Sequence, residues 1–372
     1  MEVAELIKHR RHFHQNPETA FEENNTRTYL VEVLSKMPIV KLWEIAETGL
    51  LVQVCGTERN PGLLYRTDMD ALPITENNPG LAYASTVPGK AHLCGHDGHM
   101  AIALGLVDAL SKNPGKRPVY VLFQPAEETG QGALRVLKDP TFSSIPFLGA
   151  FALHNLPGQS TGQYFLTEES FSASVSTLVF NFKGKVSHAA EPFNGINPSY
   201  AIGDILAYIE ERNQFYPNNN FKFGTPVCVK VGDKAYGTNP GDGELHVTIR
   251  ASKHKKFEKF KEKLIKRVEN TAKAYQLSYT VEELELFPAV KQYAALLSKI
   301  EVALAQEKMK FSYLDGPNRW GEDFGFFSDK FPTLMFGVGA GKEHPALHNE
   351  NYDFPDEIIE PTVKVLTQIF KD

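Results

Sequence analysis

Two hydrophobic patterns alternate along the first half of the chain and predict both helices and strands. Apolar residues recur at helical spacing over 3–14 and 22–37, whereas 119–123 and 147–153 are short continuous apolar runs typical of buried strands. Residues 99–111, just before the first of these runs, are apolar around most of a helix. Buried strands separated by helices indicate a mainly parallel sheet with both faces covered, so the predicted fold class is α/β.

The pattern changes after residue 176 and predicts a second, smaller domain. From there, half-exposed strands and two amphipathic helices follow one another in the order β-α-β-β-α-β, which is the split βαβ or ferredoxin-like unit. A helix and a buried strand of the first type resume near the end of the chain. We therefore predict a large domain formed by 1–176 and 292–372, with a ferredoxin-like domain, 177–291, inserted into it.

Composition narrows the kinds of partner. The 372 residues include 39 Lys and Arg against 45 Asp and Glu, and this net charge of −6 argues against a general nucleic-acid or anionic-membrane binder. No segment reaches the roughly 18 uninterrupted apolar residues that span a bilayer. The net negative charge favours a small-molecule substrate instead. The three cysteines are too few for a disulfide framework and fit a reducing compartment, so we expect a cytoplasmic protein.

The densest candidate chemistry lies in the segment HLCGHDGHMA, residues 92–101. It places Cys94, His96, Asp97 and His99 beside two glycines that permit a tight bend, so thiolate and imidazole could approach one cation. A structural alternative is open at this point, because cysteine is often simply buried. His99 could likewise only cap or hydrogen-bond the helix that follows.

Further candidates follow the predicted buried strands. Glu127 and Glu128 come after one strand, His154 after the next, and His348 after a later one, with His344 as its nearby rival. Ligands bind at the carboxyl ends of strands in open α/β sheets, so these side chains should converge although each could be an ordinary residue by itself. Five ligands suit a two-metal site in which one ligand bridges. The convergent set is Cys94, His96, Glu128, His154 and His348.

With these motifs in view, the chain resembles the dinuclear-metal aminoacylase and carboxypeptidase peptidases. The resemblance is to their N-acyl-amino-acid amidohydrolases, a branch that includes hippurate hydrolases, auxin-conjugate hydrolases and N-acetyldiaminopimelate deacetylases. It extends over nearly the whole chain. The motifs that carry it, in order, are RRHFHQNPE (10–18), YRTDMDALP (65–73), HLCGHDGHMA (92–101), FQPAEE (123–128), ALHNLP (152–157), GKVSHAAEPFNGINP (184–198), TIR (248–250), GEDFGFF (321–327) and LHNENYDF (347–354).

The resemblance implies a ligand set for two divalent ions. Cys94 would bridge them, with His96 and His154 completing one site and Glu128 and His348 the other. Thiolate and imidazole favour a borderline-soft ion such as zinc. The resemblance adds manganese, which with zinc is a first candidate, and also cobalt or nickel.

Roles beyond the ligands are implied in the same way. Glu127 matches the general base, and His188 matches a histidine that polarises the substrate carbonyl and, in dimeric relatives, reaches the partner's metal site. Arg250 and Asn239 resemble contacts to the substrate carboxylate and carbonyl. Pro240, directly after Asn239, departs from the family's pattern and bears on that contact.

Several carboxylates resemble groups that orient such ligands. They include Asp68, Asp70 and Asp97, for which turn-capping after a strand is an equal alternative. Glu322 and Asp323 belong to a motif that lies near the site in the family.

The sequence therefore predicts a metal-dependent hydrolase that releases a carboxylic acid and a free amino acid from an N-acyl amino acid. Alternatives within this class are N-acetyldiaminopimelate deacetylation in lysine synthesis and a dipeptidase. From other classes, a hydrolase with Cys94 as nucleophile and His96 or His99 as base, or a metal-free binding protein, could use the same fold. The inserted domain is expected to act as a lid and to form a homodimer through its exposed sheet edge.

Overall fold

Helices and strands alternate in the computed structural model, which describes residues 1–56, 61–115 and 117–371. The helices of these residues are, in chain order, α1 (Val3–Gln15), α2 (Asn24–Leu34), α3 (His96–Lys112), α4 (Gly132–Lys138), α5 (Pro140–Ser143), α6 (Pro198–Arg212), α7 (His254–Ala274), α8 (Ala294–Gln306) and α9 (Ile359–Phe370). None of them is long and apolar enough to cross a membrane.

The strands lie between these helices. In chain order they are β1 (Lys41–Ile45), β2 (Gly49–Cys55), β3 (Gly62–Asp68), β4 (Val119–Gln124), β5 (Phe147–Pro157), β6 (Tyr164–Leu166), β7 (Ser174–Lys183), β8 (Ser187–His188), β9 (Lys222–Val231), β10 (Thr238–Asn239), β11 (Asp242–Ala251), β12 (Ser278–Phe287), β13 (Phe311–Tyr313) and β14 (Thr333–Gly341).

The described residues divide into two units. The first comprises Met1–Phe171, Val290–Leu314 and Asp323–Asp372, and the second comprises Ser172–Ala289 and Asp315–Glu322.

A mixed sheet forms the centre of the first unit, with strand order β1-β2-β4-β3-β5-β14-β6-β13. The central strands β4, β3, β5 and β14 run parallel to one another, and β3 and β4 are buried along their whole length. Strands buried on both faces carry apolar residues at successive positions, which explains the continuous apolar runs in the sequence. The predicted α/β class with a mainly parallel sheet is confirmed.

Helix α3 is the most buried helix of this unit and packs against α1, α9 and strand β3. Its apolar residues occur around most of its circumference because other elements cover it on several sides. Gly105 allows the closest approach, since a Cβ there would lie 2.6 Å from Val363 Cγ2 in α9. This packing fixes the helix whose first turn carries part of the candidate site.

The second unit contains an antiparallel sheet with strand order β12-β7-β11-β9. Along the chain its elements run β7, α6, β9, β11, α7 and β12. Both helices share one hydrophobic core with the sheet, to which β11 contributes Leu245, Val247 and Ile249. Residues that alternate with these on β11 therefore lie on the opposite face of the sheet.

Alanine at Gly105 should destabilise the protein by about 1–3 kcal/mol, because the added Cβ would also come within 3.0 Å of Leu6 Cδ1. Gly203 in α6 provides the control, since a Cβ added there would have no heavy atom of the described residues within 4 Å. Alanine at this position should stabilise by up to about 1 kcal/mol through helix propensity. Urea unfolding followed by circular dichroism measures both changes, and equal shifts would contradict the close approach of α3 and α9.

Candidate metal centre

The five predicted ligands come together in two groups that share one residue. The ligand atoms of Cys94, His96 and His154 lie within 4.8 Å of one another, and so do those of Cys94, Glu128 and His348. Cys94 Sγ is 3.6 Å from His154 Nε2, and His348 Nε2 is 3.6 Å from Glu128 Oε2. Cys94 belongs to both groups, so its thiol is placed where it could bridge two metal ions.

Two buried atoms at this site are unsatisfied, and they provide a test of whether metal ions fit. His96 Nε2 and Glu128 Oε1 have no hydrogen-bond partner among the described residues, although they lie only 3.8 Å apart. A buried polar atom without a partner costs roughly 1–3 kcal/mol. Cations bound to these atoms would remove this cost, so the residues present fit divalent ions.

Hydrogen bonds to main-chain carbonyls fix the protonation of two histidines. His96 Nδ1 donates to Asp70 O at 2.9 Å, and His154 Nδ1 donates to Asn155 O at 2.9 Å. Because a carbonyl oxygen can only accept, each Nδ1 carries a proton, and Nε2 is the nitrogen of each ring that can bind a metal. This is the tautomer that a metal ligand requires.

Asp70 holds the turn that carries both glutamates. Its Oδ1 accepts the N–H of Glu127 at 3.0 Å and its Oδ2 accepts the N–H of Glu128 at 2.9 Å. Ala126, just before them, has a left-handed φ of 53°, and its N–H donates to Glu23 Oε1 at 2.9 Å. Sequence reasoning missed Glu23, whose pKa is raised to about 7 by burial and then by the charge of Asp70.

His99 does not have a nitrogen left for a metal. Its Nδ1 is 2.7 Å from Asp68 Oδ1, and its Nε2 is 2.6 Å from Asn155 Oδ1. Asp68 also accepts from Arg66 at 2.6 Å, and Asn155 donates to the hydroxyl of Tyr352 at 2.6 Å. The structure therefore disfavours His99 as a metal ligand. Its ring bonds Asp68 and Asn155 and does not cap or hydrogen-bond the helix that follows, which was the alternative open from the sequence.

Gly95 sets the start of α3 at His96. Its φ of 95° is left-handed, and a Cβ at this position would lie 2.4 Å from Asn155 Oδ1. Both facts require glycine here. The helix consequently begins with a candidate ligand, three residues earlier than the apolar pattern indicates.

Charge in the cluster is strongly negative. Burial raises the pKa of the Cys94 thiol well above its usual value, and the carboxylates of Glu128 and Glu127 raise it further. Burial alone would lower the pKa of His96, but the nearby Asp68 and other acidic groups raise it to about 10. A thiol in this setting stays protonated unless a cation compensates the surrounding carboxylates, which fits a metal ligand better than a cysteine nucleophile.

Glu127 lies beside the ligands and belongs to a group with His96 and Glu128 whose oxygen and nitrogen atoms lie within 4.8 Å of one another. Its Oε1 accepts the N–H of Asp323 at 3.4 Å, and its Oε2 is 4.0 Å from His96 Nε2. The side chain is buried but not sealed, with 6% of its surface exposed. Such a carboxylate can exchange a proton with a molecule bound at the centre.

His344, the rival of His348, is engaged elsewhere. Its Nε2 donates to Asp353 O at 2.6 Å. His348 instead lies beside Glu128, with a left-handed φ of 65°.

A buried charge network supports the first turn of α3 and was not predicted. His14 contacts Asp97 Oδ2 through Nδ1 at 2.9 Å and Glu76 Oε1 through Nε2 at 3.1 Å. Arg10, fully buried, bonds Asp353 at 2.7 Å and lies 3.5 Å from Asp97. The motif RRHFHQNPE contains both residues, but only its family resemblance, and no local pattern, distinguishes them.

The second unit contains three of the predicted site residues, His188, Asn239 and Arg250. His188 is exposed on β8. Asn239 donates to Ser187 Oγ at 3.0 Å and accepts from Asn197 Nδ2 at 2.8 Å. The roles proposed for them and for Arg250 on β11 stay predictions. Glu322 is buried and also groups with this unit.

Comparison with known proteins identifies the family. Residues 64–372 match the family model described as Peptidase family M20/M25/M40. The chain belongs to peptidase family M20/M25/M40. Because the matched range includes most of the chain and all five candidate ligands, the match confirms the predicted resemblance to dinuclear-metal peptidases. It also confirms the prediction of a metal-dependent amidohydrolase.

Relatives of this M20-family chain match over nearly its whole length. An N-acetyldiaminopimelate deacetylase of Listeria monocytogenes is 32% identical over 375 residues, covering 97% of this chain and 97% of the relative. Another of Bacillus subtilis is 31% identical and covers 100% of this chain and 99% of the relative. A solved Bacillus subtilis structure, described as a dinuclear metal binding peptidase from the M20 family, shares the fold with a TM-score of 0.85 at 24% identity, covering 99% of this chain and 97% of that one.

The His14 network predicts a stability that falls at alkaline pH. Both ring nitrogens face carboxylates and must donate, so His14 is an imidazolium. Burial alone would lower its pKa, but the bonds to Asp97 and Glu76 raise it from 6.5 to about 9. The pKa of His14 is higher in the folded protein than in the unfolded protein. The charged ring therefore stabilises the fold fully at pH values below the unfolded-state pKa, and this stabilisation is lost as pH rises through about 9.

The measurement is urea unfolding of the wild-type protein and of His14→Gln at about pH 6 and about pH 10. The difference in unfolding free energy between the two proteins should shrink at the higher pH by at most about 3 kcal/mol. A difference that stays constant across this range would show that His14 is not charged in the folded state.

Proposed function

We propose that this M20-family chain hydrolyses the amide bond of N-acyl amino acids, with N-acetyldiaminopimelate as the first candidate substrate. The observation that carries the proposal is the pair of ligand groups sharing Cys94, with Glu127 beside them. The names of the relatives that match over their whole length support the choice of substrate. A cytoplasmic location stays a prediction from the scarcity of cysteine.

We propose Cys94, His96 and His154 as the ligands of one divalent ion and Cys94, Glu128 and His348 as those of a second. Thiolate, imidazole and carboxylate together suit zinc or manganese first, and also cobalt or nickel. When bound, these ions supply the positive charge that polarises an amide carbonyl and lowers the pKa of an attacking water.

The side chains of this chain would move the protons. The Glu127 carboxylate would accept a proton from the attacking water and, once protonated, donate it to the leaving nitrogen. Asp70 keeps this carboxylate in place through the main chain, since it accepts the N–H of Glu127.

Substrate groups would also bind residues of the second unit. Arg250 donates one Nη1 bond to Arg319 O at 2.8 Å, and its other donors suit a planar carboxylate. Asn239 has one amide N–H engaged with Ser187, which leaves one for a carbonyl. Arg250 and Asn239 are thus proposed to bind the amino-acid end of the substrate.

A substrate panel tests the proposed function. The protein loaded with zinc or manganese should hydrolyse N-acetyldiaminopimelate with a higher kcat/KM than N-acetyl or N-benzoyl amino acids that lack its second amino-acid group. Faster hydrolysis of an N-benzoyl amino acid would overturn the assignment as an N-acetyldiaminopimelate deacetylase. It would leave the broader assignment as an amidohydrolase standing. No hydrolysis of any of them with zinc, manganese, cobalt or nickel would overturn both.

Substitution of the adjacent glutamates separates their roles. Glu127→Gln should keep the metal content and lower kcat by about a hundredfold or more, because the proton acceptor is lost. Glu128→Gln should instead lower the metal content, because a ligand is lost. Glu360→Gln, in an exposed pair with Lys364, is the control and should change neither quantity. An exchange of the two phenotypes would reverse the assignment.

The predicted inserted domain, 177–291, which makes up most of the second unit, is proposed to be a ferredoxin-like lid that also joins two chains. The element order of this domain supports the ferredoxin-like fold. Its edge strand β9 supports the contact between two chains, because β9 exposes Val227 and Val229. His188 Nδ1 accepts the N–H of Ala190 at 3.1 Å. The ring proton therefore lies on Nε2, from which it could be donated to an oxyanion in the partner's site.

Mixing two inactive variants tests this shared site. His188→Ala protein combined with Glu127→Gln protein should regain activity as subunits exchange, because a hybrid dimer contains one site with both groups intact. Mass spectrometry of the intact dimers verifies the exchange. If hybrids form without recovery of activity, His188 does not act across a dimer.

A further inference from the structure

A second cluster of metal-ligating side chains lies on the sheet of the second unit. Cys228 on β9 and the pair Glu244 and His246 on β11 have ligand atoms that all lie within 4.8 Å of one another. All three side chains are half-buried. Neither the family motifs nor the proposed reaction uses any of them.

Strand geometry explains why these three side chains meet. His246 is paired directly with Cys228 across the antiparallel ladder, so their Cβ atoms lie about 5 Å apart. Glu244 precedes His246 by two residues and therefore projects from the same face. Leu245 and Val247, which alternate with them, are completely buried in the helix-covered core. The cluster accordingly lies on the face of the sheet opposite α6 and α7.

The ladder is irregular at this point. The register shifts between His246 and Val247, where Val247 pairs with Pro226, so that β9 holds one extra residue. A bulge of this kind re-aims the side chains beside it and is common near functional sites. Here it keeps Cys228 opposite His246 instead of moving the thiol to the other face.

A simple hydrogen bond accounts for only part of the cluster. Glu244 and His246 contact each other through Oε1 and Nε2, as a surface pair would. Cys228 is a free thiol, and it has no hydrogen bond or ion pair in the part of the chain that the structure describes. The contact between Glu244 and His246 does not explain why a thiol lies within reach of both.

We propose that Cys228, Glu244 and His246 bind one divalent cation of the zinc class. A thiolate, an imidazole and a carboxylate are three ligands that zinc prefers, and the fourth tetrahedral position is left for water or a small ligand. All three side chains are partly exposed, so solvent can reach that position.

Binding requires only a small rearrangement of the side chains. Zinc bonds of about 2.0 to 2.3 Å place ligand atoms well within 4.8 Å of one another, as these atoms already are. The direct contact between Glu244 and His246 must open so that the ion can lie between them. Rotation of the half-exposed side chains can supply that movement while the ladder holds the backbone fixed. The thiol would lose its proton on binding.

The zinc content per chain tests the proposal, measured by equilibrium dialysis at equal free zinc. Wild-type protein should bind one zinc ion more than Cys228→Ser and one more than His246→Gln. Cys55→Ser is the matched control, because Cys55 is a buried free thiol whose Sγ contacts the Arg117 carbonyl oxygen at 3.5 Å. This variant should bind as much zinc as the wild type.

Two features of this experiment keep its outcome clear. The readout is a difference of one ion, so it does not depend on how many ions the dinuclear centre holds or on whether the proposed reaction is correct. Circular dichroism identifies folded variants, and one folded variant is sufficient. Equal zinc content in the wild type and in a folded Cys228→Ser or His246→Gln protein would overturn the site.

A spectroscopic measurement identifies the ligand directly. Cobalt bound to a thiolate gives a near-ultraviolet charge-transfer band, and in a Cys94→Ser background only the second cluster should produce it. The band should remain in that background and disappear when Cys228→Ser is added. Its absence from folded, cobalt-treated Cys94→Ser protein would also overturn the proposal.

Discussion

Burial of negative charge at the carboxyl edge of the large sheet is the constraint on which the rest of the first unit depends. A buried carboxylate is stable only where N–H donors or cations face it. Arg66, itself buried, bonds both Asp68 and Asp323, and main-chain N–H groups face Asp70. These donors leave the space next to His96 Nε2 uncompensated, and the proposed ions would complete the charge balance there.

The proximity of the candidate ligands could be predicted because it follows from a general rule of α/β sheets. Parallel strands end at one edge, so His154 and the residues after the other strands must lie near one another. Strand β5 continues to Pro157, so His154 lies within its last part and not after it as the apolar run indicates. The start of α3 could not be placed from periodicity, because the left-handed φ of Gly95 begins the helix before its apolar pattern does. Local backbone geometry of this kind has no hydrophobic signature.

The supporting charges could not be predicted for a different reason. Arg10 and Asp353 are separated by 343 positions in the chain, and Glu23 and Ala126 by 103. Pairs at such separations leave no periodic trace in one sequence. Strand β1 was missed because it is partly exposed, and β6 and β13 because each is only three residues long. Short or exposed strands have too few apolar positions to form a pattern.

Asp70 contacts the ligands of both proposed ions at once. Its carbonyl oxygen fixes His96, and its carboxylate fixes the main chain of Glu128. An ion that draws His96 into its final position would therefore also restrain Asp70 and, through it, the ligand of the second ion. A change that loosens Asp70 would therefore disturb both proposed sites together instead of either one alone.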